Sequence, residues 1–236
     1  MGKDNMSDIV VQPLGGLCNR MRAIVGAASL AKKMQKRLQV IWTQDSMLNA
    51  RFDDLFEPIP YPVMECNLNS VHYKLVFHWY RDVHRYMMLD DEWISKRARG
   101  REYAEWKHEV EGKNLFLRTG LDIFFNGDYS IFRPKTSVLE SLNNVSCDEN
   151  TIGLHIRRTD NDKAIKYSPT SLFFDKVEEE LSLNPQTRFY LATDDPQEEK
   201  AFVKKFGDRI LIYGLSFCHN SSNNFLAISK RLYCAI

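Results

Sequence analysis

Two stretches of this chain carry the same pattern, and that pattern constrains the fold more than any other feature. Each is a short apolar run, a turn, an amphipathic helix and a second apolar run. The first starts at residues 9–11, passes Pro13 and the pair Gly15 and Gly16, and continues as a helical stretch over 19–36. In that stretch Met21, Ile24, Val25 and Ala28 recur at helical spacing, while Lys32, Lys33 and Lys36 crowd the end where cations suit the helix dipole. Residues 38–42 supply the closing strand.

The second stretch reads as a strand over 151–156, then a helix opened by Ser168 and Pro169 in which Leu172, Phe173, Val177 and Leu181 face one way. A strand over 188–192 follows. Asp195 as N-cap, Pro196 at the first helical position, the early acids Glu198 and Glu199 and the terminal Gly207 mark the next helix, and 210–213 reads as a third strand. Such β-α-β-α-β order joins parallel strands through right-handed crossovers, which is one mononucleotide-binding half of a doubly wound sheet.

Between these stretches, residues 72–133 are rich in aromatics, among them Tyr73, Phe77, Trp79, Tyr80, Trp93, Trp106, Phe116, Phe124, Phe125 and Tyr129. Short strands at 115–117 and 123–125 and a helix over 102–110 are the elements expected there. Any one of these rings reads first as core packing. A polar segment over 140–150 is the candidate boundary, dividing a domain 1–140 from a domain 148–236.

Composition bounds the partners. Lys and Arg total 32 against 31 Asp and Glu, so the chain has no global field of the kind that gathers nucleic acid or an acidic membrane, and any basic site must be local. The longest apolar run, 24–31, is far short of the roughly 20 residues of a membrane helix, and Asp4 and Asp8 interrupt the start where a signal peptide would be apolar. The five cysteines, at 18, 66, 147, 218 and 234, form no CxxC pair, which argues against a zinc site and a disulfide framework. The expectation is a cytoplasmic protein in a reducing compartment without a metal, in which the sequons at Asn144 and Asn220 are chance matches.

Two motifs carry chemistry. His155, Ile156, Arg157, Arg158, Thr159 and Asp160 place adjacent guanidinium groups just beyond a strand, where open α/β sheets bind ligands. A planar fork of donors matches two phosphate oxygens, so the pair suits a diphosphate, with Asp160 orienting one fork; a surface Arg pair is the plain alternative. Gly15, Gly16, Leu17, Cys18, Asn19 and Arg20, followed by Arg22, open the first helix, where free N–H groups and the dipole favour an anion. The loop lacks both the GK[ST] of a P-loop and the third glycine of a dinucleotide fingerprint, and a tight packing turn explains it as well.

Together, GGLCNRMRAI (15–24), NARFDDLFEP (49–58), IGLHIRRTDN (152–161) and FYLATDDP (189–196) resemble the GDP-fucose-dependent fucosyltransferases of GT-B fold, the α-1,6 group with its nodulation-factor and core-type enzymes above all. The resemblance covers both ends of the chain through about residue 213 and is loose in the aromatic middle. It implies two Rossmann-like domains facing a cleft, a metal-independent reaction, GDP-fucose as donor and a carbohydrate acceptor. It assigns Arg157 and Arg158 to the diphosphate, Arg157 carrying more of the activity, and makes donor contacts of His155, Asp160, Asp194, Asp195, Gly15, Gly16, Asn19, Arg20 and Arg22. For Asp195 a plain helix cap is the competing role. The same family carries an aspartate in a DxxxLS-like segment and then a serine-rich turn beyond the third strand; here Lys230, Arg231, Leu232, Tyr233 and Cys234 match the first loosely, so the C-terminal domain is expected to be incomplete. Two other readings stay open: a catalytically silent donor-binding module, and a phosphate-binding protein unrelated to sugars.

Overall fold

The computed structural model describes residues 9–124, 127–142, 147–159 and 162–212, and the chain divides into two compact units, 1–136 and 137–236.

In the first unit β1 (Ile9–Pro13) is buried along its whole length, as a β-branched run at the centre of a sheet must be. Then come α1 (Leu17–Met34), β2 (Leu38–Gln44), α2 (Phe52–Leu55), β3 (Val63–Asn67), α3 (Val71–His78), β4 (Met87–Asp90), α4 (Asp91–Arg97), α5 (Tyr103–Val110) and β5 (Leu115–Thr119). All strands run parallel in the order β3-β2-β1-β5-β4. The chain therefore winds outward from β1 through β2 to β3, then returns to the other side, and β1 and β5 flank the point where the direction reverses. The loop Leu14–Gly16 leaves β1 there, and the Leu14 N–H bonds the Thr119 carbonyl at 2.8 Å to fix its course.

Most of the aromatics of the middle segment are core. Tyr73, Tyr80, Tyr86 and Phe116 pack with Val10, Ile41 and Cys66 in one cluster. Trp106 is buried against Trp93, Tyr103 and Phe124. Only Tyr129 among those named above is exposed among the described residues. The expected strand at 123–125 does not form at Ile123 or Phe124, and Phe125 lies outside the described residues. Ile123 instead seats its backbone on α1 at Gly26, where a Cβ would come within 3.3 Å of the Ile123 nitrogen. β3 and β4 were not legible beforehand.

The second unit holds α6 (Thr136–Leu142, beginning one residue before it), β6 (Thr151–Ile156), α7 (Asp162–Tyr167), α8 (Thr170–Leu183), β7 (Arg188–Thr193), α9 (Pro196–Phe206) and β8 (Ile210–Leu211). Its parallel sheet, β6-β7-β8 among the described residues, buries Leu154, Ile156, Phe189, Leu191 and Ile210 against Val177 of α8 and Phe202 of α9. The third strand is shorter than expected, and Tyr213 lies outside the described residues. Phe202 is fully buried and touches Phe174 at 4.8 Å between ring centroids. Phe202→Ala should cost about 3–5 kcal/mol, read as lost hydrogen-exchange protection in β6 and β7.

Candidate functional site

The 155–159 segment leaves the carboxyl end of β6 beside the carboxyl end of β7, because the register pairs Ile156 with Thr193. Side chains alternate as the chain passes from strand into turn. Ile156 is buried in the core, Arg157 is exposed, and the Arg158 side chain turns back inside with 11% exposure.

Arg158 is thereby committed. Its Nε donates to Glu198 Oε1 at 2.7 Å, Nη1 to the Arg157 carbonyl at 3.0 Å, and Nη2 to the Ser168 carbonyl at 3.0 Å and Thr170 Oγ1 at 3.3 Å. The Thr170 hydroxyl donates to the same Glu198 oxygen. The guanidinium also lies 5.9 Å from the Phe173 ring centre. Twin forks were the expectation at this motif; adjacent side chains leave the backbone in opposite directions, and Arg158 donates to protein acceptors.

Asp194 and Asp195 divide their work as their positions on the β7–α9 turn dictate. Asp194 is exposed, and its carboxylate accepts from the Arg158 N–H at 2.7 Å and from the Thr159 hydroxyl at 2.8 Å, with the Thr159 N–H at 3.4 Å. Asp195 accepts from the Gln197 N–H at 2.8 Å and caps α9, the competing role weighed for it above. His155 is exposed on β6 opposite Ala192. Asp160 lies outside the described residues, as do Lys230, Arg231, Leu232, Tyr233 and Cys234.

In the first unit Gly15 adopts a left-handed φ of 81°, and a Cβ there would meet Asn19 Nδ2 at 2.8 Å, so the turn requires glycine. Gly16 is the N-cap of α1, has no side-chain cap, and has open space where a Cβ would stand. Asn19 accepts from Arg22 on the next turn of the helix, and both are half-buried. Arg20 is not presented to a ligand at all. Its side chain is fully buried, bonded to the Gly15 carbonyl at 2.7 Å, the Thr43 carbonyl and Asp45 Oδ1 at 2.8 Å, with the guanidinium 5.1 Å from the Trp42 ring centre. The sequence places it beside a glycine loop, whose Gly15 carbonyl it does bond, but its other two partners lie more than twenty positions away, on β2 and the turn after it.

Glu198, Ser168 and Thr170 entered the site unannounced. Glu198 reads in sequence as one of two acids suiting the first turn of a helix. Nothing in the spacing ties it to an arginine 40 positions earlier. Among the described residues no cluster of three or more His, Cys, Asp or Glu side chains could hold a metal.

With two parallel α/β units and this turn in view, known structures are informative. Fucosyltransferase NodZ from Bradyrhizobium superposes with a TM-score of 0.59 at 13% identity, covering 95% of this chain and 83% of NodZ. This is the NodZ fold. NodZ α-1,6-fucosyltransferase soaked with GDP-fucose gives 0.54 at 15% identity over 95% of this chain and 82% of the other, and NodZ co-crystallised with GDP gives 0.53 at 13% over the same shares. The GT-B class expected from the motifs agrees with these NodZ structures. No protein-family model matches the chain, and no curated protein matches it in sequence.

Two tests follow from these charged groups. Arg20→Ala takes away the charged partner of the Asp45 carboxylate, which is 11% exposed and keeps only the N–H groups of Met47 and Leu48, and should lower stability by about 3–5 kcal/mol, read from urea unfolding. For Asp194, burial pushes the pKa up, but the Thr159 hydroxyl and the N–H groups of Arg158 and Thr159 outweigh it and hold the carboxyl below its ordinary value. A depressed carboxylate adds stability above its unfolded pKa of about 3.9 and loses it as pH falls through the folded value. The Asp194→Asn variant should therefore show a flatter loss of urea midpoint below about pH 4 than the wild type.

Proposed function

We propose that this chain transfers fucose from GDP-fucose to a glycan or glycolipid acceptor with inversion at the anomeric carbon. The observation that carries this reading is Arg157: an exposed guanidinium at the carboxyl end of β6, on a peptide held by Asp194 and by Arg158, within a fold shared with NodZ. As the anomeric C–O bond breaks, its electron pair goes to the β-phosphate oxygen of departing GDP, while the sugar ring gains positive character. A cation fixed at that phosphate stabilises the transition state more than the ground state, and fixing it beforehand spares reorganisation during the step. The acceptor hydroxyl attacks the opposite face, forms the new C–O bond, and passes its proton to a carboxylate.

Arg157 is the residue assigned to the diphosphate, with His155 and the Gly15, Gly16, Asn19 and Arg22 loop as further donor contacts. Arg158, Asp194 and Asp195 hold the turn rather than the ligand. A reducing, cytoplasmic setting suits the free thiols of Cys18, Cys66 and Cys147, and no helix among the described residues is long and apolar enough to cross a membrane.

A second reading has one observation in its favour. With Arg158 engaged inside the protein, the motif offers one guanidinium where two were expected, which suits a module that binds donor without turning it over.

Calorimetry with GDP should show binding that Arg157→Ala weakens about 10- to 100-fold, the loss of charge-assisted hydrogen bonds worth about 1.5–3 kcal/mol. Unchanged affinity in the folded variant removes Arg157 from the site. Release of GDP from GDP-fucose then separates the transferase from the silent module.

A further inference from the structure

The peptide between Arg157 and Arg158 is gripped at both of its polar groups. Its carbonyl accepts from Arg158 Nη1 at 3.0 Å, and its N–H donates to Asp194 at 2.7 Å. Both grips trace to the start of α9. Asp194 stands just before the helix, and Glu198, in its first turn, holds the Nε of the arginine whose Nη1 holds the carbonyl. Fixing this peptide plane fixes the direction in which the Arg157 side chain leaves the backbone.

We propose that Glu198 is a positioning residue: its carboxylate, acting through Arg158, aims Arg157 at the donor diphosphate. The proposal rests on the donor reading of Arg157 given above. Three features of Glu198 support a role beyond packing. It is 8% exposed, so its charge is withheld from water. Its second oxygen, Oε2, is buried without a hydrogen-bond partner, an arrangement that stability alone does not favour. Its Oε1 meets Arg158 and Thr170 together, and the Ser168 carbonyl is bonded by the same guanidinium, so one carboxylate ties α9 and the entry to α8 to the turn after β6. A buried ion pair is weak evidence for stability, since apolar residues of similar volume often replace it at no cost. Orientation is what the apolar pair could not reproduce.

The test is a mutant cycle read by GDP calorimetry, with thermal melting as control. Glu198→Ala should weaken GDP about 10- to 100-fold, the scale on which small misplacements act. Glu198→Gln, which keeps an acceptor for Arg158, should recover part of the loss. In an Arg157→Ala background Glu198→Ala should weaken GDP no further, because the residue it aims is gone. Should Glu198→Ala fail to fold, the volume-matched pair Arg158→Met with Glu198→Leu should melt close to the wild type and still bind GDP weakly. Unchanged GDP affinity in folded Glu198 variants overturns the proposal and leaves the donor reading intact. An equal loss in both Arg157 backgrounds overturns it too, by assigning Glu198 an action of its own. A wild-type chain that binds neither GDP nor GDP-fucose overturns the donor reading, and the proposal with it.

Discussion

The architecture around both glycine loop and arginine motif depends on one interaction repeated in two places: a buried guanidinium that collects backbone carbonyls and one carboxylate. In the first unit Arg20 takes the carbonyls of Gly15 and Thr43 with Asp45. In the second Arg158 takes the carbonyls of Arg157 and Ser168 with Glu198. The need is the same each time. The loop after β1, the end of β2, the turn after β6 and the entry to α8 each present a carbonyl to one of these side chains, and an unpaired buried carbonyl is costly. Arginine has five donors, no acceptor and a charge that is never lost, so one side chain can serve several such groups at fixed angles. The carboxylate then balances the charge that burial would otherwise penalise.

This division of labour shows how far the sequence could be read. The central strands were legible because burial on both faces demands continuous apolar runs, as in β1, β5 and β7. β3 and β4 escaped notice for the complementary reason. They are the outer strands of the first sheet and only partly buried; VMECN shows neither an apolar run nor strict alternation, and MMLD has only the short run Met87 to Leu89, without β-branched or aromatic residues. Ile123 misled in the opposite direction: it is hydrophobic because it covers α1 at Gly26, and its segment bends instead of pairing. The helix start at Asp195 and Pro196 read correctly because capping is local chemistry, settled within a few residues.

The site was half legible for the same reason. Motifs announce which residue types gather at a strand's end, but not which of them face the ligand. Arg20 and Arg158 each follow a signal for anion binding, and each is claimed by partners distant in sequence. Composition gives no hint of such pairings, since Asp45 and Glu198 look like ordinary surface acids in a chain whose charges nearly cancel.

That two adjacent arginines should part company follows from backbone geometry. Successive side chains leaving a strand point to opposite sides, so Ile156, Arg157 and Arg158 alternate between interior, surface and interior. Two neighbouring guanidinium groups that leave on opposite sides meet one anion only where the turn or the side chains bend toward it. Here Asp194 accepts from the Arg158 N–H and the Thr159 hydroxyl and holds the turn just past the strand, with the Arg158 side chain engaged inside the protein. The motif sets an exposed cation, Arg157, beside a second guanidinium engaged by protein acceptors. The exposed member gains from the arrangement, since a long side chain on a fixed backbone has less freedom to lose when it meets an anion than one on a mobile loop.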